Sequence, residues 1–256
     1  MKREKHNIIA KVIFNTIFMI FSISCIFPII WMIYSSLKTS PEFNRSIITL
    51  PEKPVFSNYI DAFRISHMDT YYLNTIFNAA VSLILMLLFS FLIAYFITRF
   101  TFKGRNLIYY CILVGMLIPV HALLIPMFIQ FKNLGLFDKR FTLILPYVAF
   151  AMPFAVFLIS SYLKSIPPDM EEASVIDGCG FIKMLFTIVM PLCTPVLVTV
   201  SILQLFTKWW NEFPFALILV NSEKYKTISL GLMNFSSQYS TNYPMKMAAL
   251  ILAILP

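Results

Sequence analysis

Five uncharged apolar runs dominate the chain, at residues 12–37, 70–98, 106–131, 141–163 and 184–207. Each exceeds the ~20 residues that a helix needs to cross hydrocarbon. Alternation with period two is absent, and the runs far exceed the ~10-residue strands of a membrane barrel. Backbone in lipid must satisfy its own hydrogen bonds, which leaves helices. The pattern predicts an all-α, polytopic membrane protein. A last apolar stretch, "MKMAALILAILP", is too short to span and is expected to be a sixth helix cut short.

The polar intervals divide these runs. Residues 1–70 read as a tail, a first span and an outer loop, and residues 71–256 as the transmembrane core. The interval 38–69 carries three prolines and is expected to be extended, with one short helix near residues 58–64. "RFTFKGR", bending at Gly104, and "KNLGLFDKR" are tight connections, so spans two to four run antiparallel. Pro119 and Pro126 predict a kink inside span three, tolerable where neighbours re-satisfy the freed carbonyls. In "TKWWNEFPFALILV", Lys208, Asn211 and Glu212 mark emergence from span five, and Pro214 marks a break. Residues 213–220 are too few to cross and are expected to dip back against protein. A polar loop then runs to Pro244.

Composition agrees with this pattern. Hydrophobic residues make up 59% and charged residues 12%, against about 25% charged in a soluble domain. Mean hydropathy is +0.80. Lys2, Arg3, Lys5 and Lys11 precede the first run, yet its apolar core is longer than the ~7–15 residues of a signal peptide, so it reads as a retained span. With the N-terminus inside, the inner segments hold nine Lys and Arg in 38 residues and the outer ones eleven in 80. That density supports the N-inside orientation. The net charge of +8 suits flanks near anionic lipid and not nucleic acid. Cys25, Cys111, Cys179 and Cys193 have no metal or disulfide spacing, and His6, His67 and His121 are scattered. His121 lies in a span, where it can act functionally or bond a carbonyl freed by the kink.

"PPDMEEASVIDGCGFIKMLFTIVMP" interrupts two of the most apolar stretches. Ser165 is expected to cap a helix whose first turn holds Pro167 and Pro168. Asp169, Glu171 and Glu172 follow near the positive end of its dipole. The helix is expected to end at Asp177-Gly178, where glycine accepts a left-handed backbone, and a second helix to start after Gly180 and pass Pro191. The product is an elbow held outside the bilayer, with Ala173, Val175 and Ile176 as its apolar face. Read on its residues alone, it is a docking element or an interfacial helix resting on the membrane.

These residues resemble a known family. Glu172-Ala173-Ser174, three spacers, Gly178, nine spacers, then Ile188, Met190 and Pro191 are similar to the EAA loop of ABC-importer permeases, E-A-A…G…I-x-L-P. Ser174 replaces the second alanine and Met190 the leucine. "SIPPDMEEA" and Asp177-Gly178 resemble the carbohydrate branch, in particular the maltose-type (MalG-like) second permease subunit. "MLIPVHALLIPMFIQFKNLGLFDKR", "LILPYVAFAMPFAVFLI" and "WWNEFPFALILV" extend the likeness from about residue 74 onward.

The resemblance implies a six-span bundle in a bacterial or archaeal inner membrane, with the N-terminus and the elbow at residues 165–190 in the cytosol. It implies a second, related permease subunit, a dimeric ABC ATPase and an extracytoplasmic solute-binding protein. Glu172 is then the charged contact to the ATPase and Gly178 the hinge, within a coupling set of Glu171, Glu172, Ala173, Ser174, Asp177, Gly178 and Pro191. No cofactor or metal is implied on this chain, and hydrolysis belongs to a separate one. Trp209, Trp210, Asn211, Glu212 and Phe213 suit a sugar path, although paired tryptophans also serve as interfacial anchors. Alternatives are a permease for a phosphodiester, polyamine or amino acid, a membrane-embedded enzyme, or a scaffold subunit. The enzyme lacks support because the span interiors contain no Asp, Glu, Lys or Arg.

Overall fold

A computed structural model describes residues 2–65, 67–238 and 242–255, which are helical with no strand. The first seven helices are α1 (Lys2–Ser36), α2 (Ser40–Arg45), α3 (Ser57–Ile65), α4 (Met68–Arg99), α5 (Arg105–Val114), α6 (Leu124–Asn133) and α7 (Ile144–Leu163). There follow α8 (Asp169–Ile176), α9 (Phe181–Met184), α10 (Met190–Leu192), α11 (Thr194–Gln204), α12 (Pro214–Leu219), α13 (Ile228–Gln238) and α14 (Tyr243–Ile254). They form two compact units, Met1–Asp69 with Gly231–Pro256, and Thr70–Leu230.

In the first unit, α14 packs on α1, α2 and α3. The segment 38–69 departs from its expected extended path by forming α2. Thr39 Oγ1 accepts from the Glu42 N–H at 3.3 Å, and Glu42 Oε2 accepts from the Thr39 N–H at 3.4 Å. Two orphan donors at a helix start are thereby satisfied by each other's residue. Lys38, placed by the sequence at the exit of span one, is fully enclosed and donates to the Ser46 carbonyl at 2.9 Å. α3 falls close to its expected place. The polar loop before Pro244 holds α13, and the loop's residues 239–241 lie outside the described residues. α14 is an apolar helix of 12 residues.

In the second unit, α4 and α7 are long and apolar enough to cross a membrane unbroken, as is α1 from Lys11 in the first. The other two runs are broken. Arg105–Leu117 and Val120–Asn133 meet at 90°, where Ile118 and Pro119 are both extended. Proline's ring drives the preceding residue out of the helical region and its nitrogen donates nothing, so the predicted kink is a corner. Pro126 sits in the first turn of α6, where proline is tolerated. Phe181–Leu192 and Thr194–Trp209 meet at 70°, with Cys193 at the vertex and Pro191 and Pro195 beside it. The core of this unit is drawn from one face each of α4 (Met86, Phe91, Tyr95) and α7 (Tyr147, Ala151, Ile159), closed by Val189 and Val200.

Candidate functional site

The elbow starts later than its sequence suggests. α8 begins at Asp169, directly behind Pro168. Ser165 caps nothing there; its hydroxyl donates to the Tyr162 carbonyl at 2.7 Å and closes α7 instead. Proline's fixed φ supplies the helix start without a side-chain cap. The end of α8 matches expectation. Cys179 N–H donates to Ser174 O at 2.9 Å and Gly178 N–H to Val175 O at 3.0 Å, with Gly178 left-handed at φ +78°. These are the two bonds of a Schellman stop, which satisfy carbonyls that the helix end leaves free.

The motif residues then part company. Glu172, Ala173, Asp177 and Gly178 are exposed, beside Val175 at 62% and Ile176 at 86% exposure. Ser174 is buried and its hydroxyl donates to the Glu171 carbonyl at 2.7 Å. Glu171 turns inward, accepting from Tyr95 Oη at 2.8 Å and Arg99 Nε at 2.6 Å. Pro191 lies in α10, beyond a π turn at Leu185–Val189. The elbow thus presents the Asp169, Glu172 and Asp177 carboxylates outward with a small apolar face, and holds the Glu171 carboxylate within.

A second feature lies where the corner at Pro119 meets α7 and the end of the fifth run. A cavity of ≈530 Å³ is lined there by His121, Tyr147, Gln204, Trp209, Asn211 and Glu212, among others. Trp209 is buried, with its ring stacked on Tyr147 at 5.9 Å and 8°. Tyr147 Oη donates to Glu212 Oε2 at 2.9 Å. Glu212 also accepts from the N–H groups of Phe215 at 2.6 Å and Ala216 at 3.2 Å, holding the start of α12. Of the five residues proposed for a path, Trp209, Asn211 and Glu212 line the cavity. Trp210 packs its ring 6.0 Å from Tyr72, and Phe213 packs on the core. Sequence reasoning missed Tyr147, Gln204, Tyr95 and Arg99. Gln204, an amide within an uncharged run, was the legible signal; a tyrosine in an apolar run carries none. Among the described residues, no group of three His, Cys, Asp or Glu is placed to hold a metal.

Residues 86–256 match the family described as binding-protein-dependent transport system inner membrane component. The chain is 34% identical over 244 residues to the diacetylchitobiose uptake system permease of Streptomyces coelicolor, covering 94% of this chain and 80% of that one. It is 32% identical to the trehalose/maltose transport system permease of Thermococcus litoralis, covering 92% and 85%. A chain from the crystal structure of a bacterial ABC transporter that imports the acidic polysaccharide alginate superposes with a TM-score of 0.85 at 25% identity, covering 97% of this chain and 92% of that one.

Proposed function

The chain belongs to the family of binding-protein-dependent transport system inner membrane components, a permease subunit of an ABC importer, and we propose that its cargo is a sugar or oligosaccharide. The observation that carries this reading is the stacked Tyr147–Trp209 pair on the wall of a cavity that also offers an amide and a carboxylate. Such a wall suits a sugar, whose hydroxyls the exposed Asn211 amide and the half-buried Glu212 carboxylate can meet, while the buried ring pair holds Glu212 in place. The names of the relatives point the same way. This chain forms half of the path and a second, related permease the other half. A dimeric ATPase engages α8 from the cytosol, where the N-terminus also lies, through exposed Glu172 and the Val175–Ile176 face, with Gly178 as the hinge. A solute-binding protein delivers cargo from outside.

The test is ATP hydrolysis by the complete transporter in proteoliposomes, with its co-purified binding protein loaded from a panel of mono- and oligosaccharides, phosphodiesters, polyamines and amino acids. Stimulation by a saccharide is the outcome that supports the reading. Stimulation only by a phosphodiester, polyamine or amino acid would refute the sugar assignment.

A further inference from the structure

Glu171 and Glu172 are neighbours in sequence and opposites in environment. Glu172 is exposed, whereas the Glu171 and Arg99 side chains retain 12% and 14% of their exposure and meet at 2.6 Å. The other Glu171 oxygen accepts from Tyr95 Oη at 2.8 Å. Arg99 Nη2 donates to the Ile166 carbonyl at 2.9 Å, just ahead of Pro167 and Pro168. One guanidinium therefore holds both the exit from α7 and the first turn of α8. The elbow's other arm reaches the same stretch of α4: the Phe181 ring lies 6.0 Å from Tyr95 and 6.3 Å from both Phe96 and Phe100.

Both arms of the elbow thus meet residues 95–100, at the end of α4, but the two contacts differ in kind. Aromatic rings in a cluster slide past one another at little cost. An enclosed ion pair whose carboxylate and guanidinium are both further hydrogen-bonded does not, because a shift leaves a desolvated charge without a partner. We propose that Arg99 and Glu171, steadied by Tyr95, form a joint that makes the elbow and α4 move as one body. A stroke received at Glu172 is then delivered to the end of α4 instead of being lost in bending at the Ile166–Pro168 linker. Arg99 and Glu171 are positioning residues: they touch neither ATP nor cargo. This inference rests on the reading of α8 as the ATPase contact.

The test uses the complete transporter in proteoliposomes, with this chain's native cysteines replaced and Thr207→Cys as a reporter on the cavity wall. The probe is a membrane-impermeant maleimide, and the readout is the change in labelling between ATP-free and vanadate-trapped states, per assembled complex. Glu171→Gln keeps the shape and a Tyr95 hydrogen bond but removes the ion pair, and is expected to reduce the change roughly tenfold, within the range of couplings between sites. Arg99→Lys keeps the charge but not both contacts and should fall between. If Glu171→Gln fails to assemble, Arg99→Lys decides alone. A purely structural role would lower the yield of complex and leave the change per complex intact, which overturns the joint. An intact response in Glu171→Gln beside a lost one in Glu172→Ala also overturns the joint and spares the ATPase contact. An intact response in Glu172→Ala as well overturns that contact, and the joint with it.

Discussion

Gly178 takes φ +78° with no atom within 4 Å of where a Cβ would stand. The position is constrained by backbone conformation and not by space. Gly178→Ala therefore costs only the left-handed backbone, about 1–2 kcal/mol, and should keep most of the stimulation of ATP hydrolysis by loaded binding protein. Gly178→Pro fixes φ near −65° and deletes the N–H that bonds Val175; stimulation should be lost while assembly with the partner permease persists. Glu172→Ala removes an exposed charge whose interaction with the helix dipole is worth less than ~1 kcal/mol. Too little is lost to unfold the chain, so uncoupling at normal abundance is expected. Full stimulation in both Gly178→Pro and Glu172→Ala would sink the coupling role.

Asp138 illustrates a different constraint at the same scale. Its carboxylate accepts from the N–H groups of Asn221 at 3.0 Å and Ser222 at 2.9 Å, and from the Ser222 hydroxyl. Partial burial pushes its pKa up, but these bonds, with Lys224, hold it below the usual carboxylate range. A depressed value means that the clasp is fully present above the unfolded carboxyl pKa of about 3.9 and is lost only as pH falls through the lower folded value. Melts of the wild type between neutral pH and about pH 5 should show no loss from this site. Asp138→Asn removes the charge at every pH, and tryptic cleavage after Lys139 and Arg140 should then be faster at neutral pH.

Among elements, the broken runs depend on close approaches that straight helices would not make. A Cβ on Gly115 would stand 3.2 Å from Pro153 Cγ, so the end of α5 lies against α7 because glycine is there. Gly115→Leu overpacks this contact, at a cost of about 1–3 kcal/mol. It should lower the melting temperature of the purified complex, whereas Gly115→Ala should do so by much less. Equal melting of the leucine variant and the wild type would remove glycine as the reason for the approach. The capping box at Thr39–Glu42 shows the converse, an element declared by four residues of sequence. Its T-x-x-E pattern is legible in the sequence, and Pro41 falls in the first turn, where proline fits a helix.

At the scale of the molecule, the family assignment carries an expectation about assembly. A path between two permeases requires a second chain, and one copy of this protein should co-purify with one copy of a related but different permease and two ATPase subunits. Native mass measurement would show it; a stable complex of this chain with itself and the ATPase alone would refute it. Orientation is checked by single cysteines probed with an impermeant thiol reagent on intact cells. Positions 104 and 178 should stay unlabelled and position 54 should react, and labelling of position 178 from outside would reverse the topology.

Sequence alone determined the membrane class, the five apolar runs, the acidic elbow and its glycine stop, because these depend on local composition and backbone preference. Lipid rewards long uncharged runs wherever they pack, and a left-handed stop needs glycine whatever surrounds it. Tertiary structure alone decided which of two adjacent glutamates faces out. Glu171 and Glu172 have the same chemistry and the same helix, and Tyr95 and Arg99, 76 and 72 residues away in the chain, distinguish them. The same holds for the cavity: Tyr147 and Trp209 stack because two runs distant in sequence meet there. Corners of 90° and 70° set that meeting. Prolines announce a break, but its angle is fixed by the helices that pack on either side.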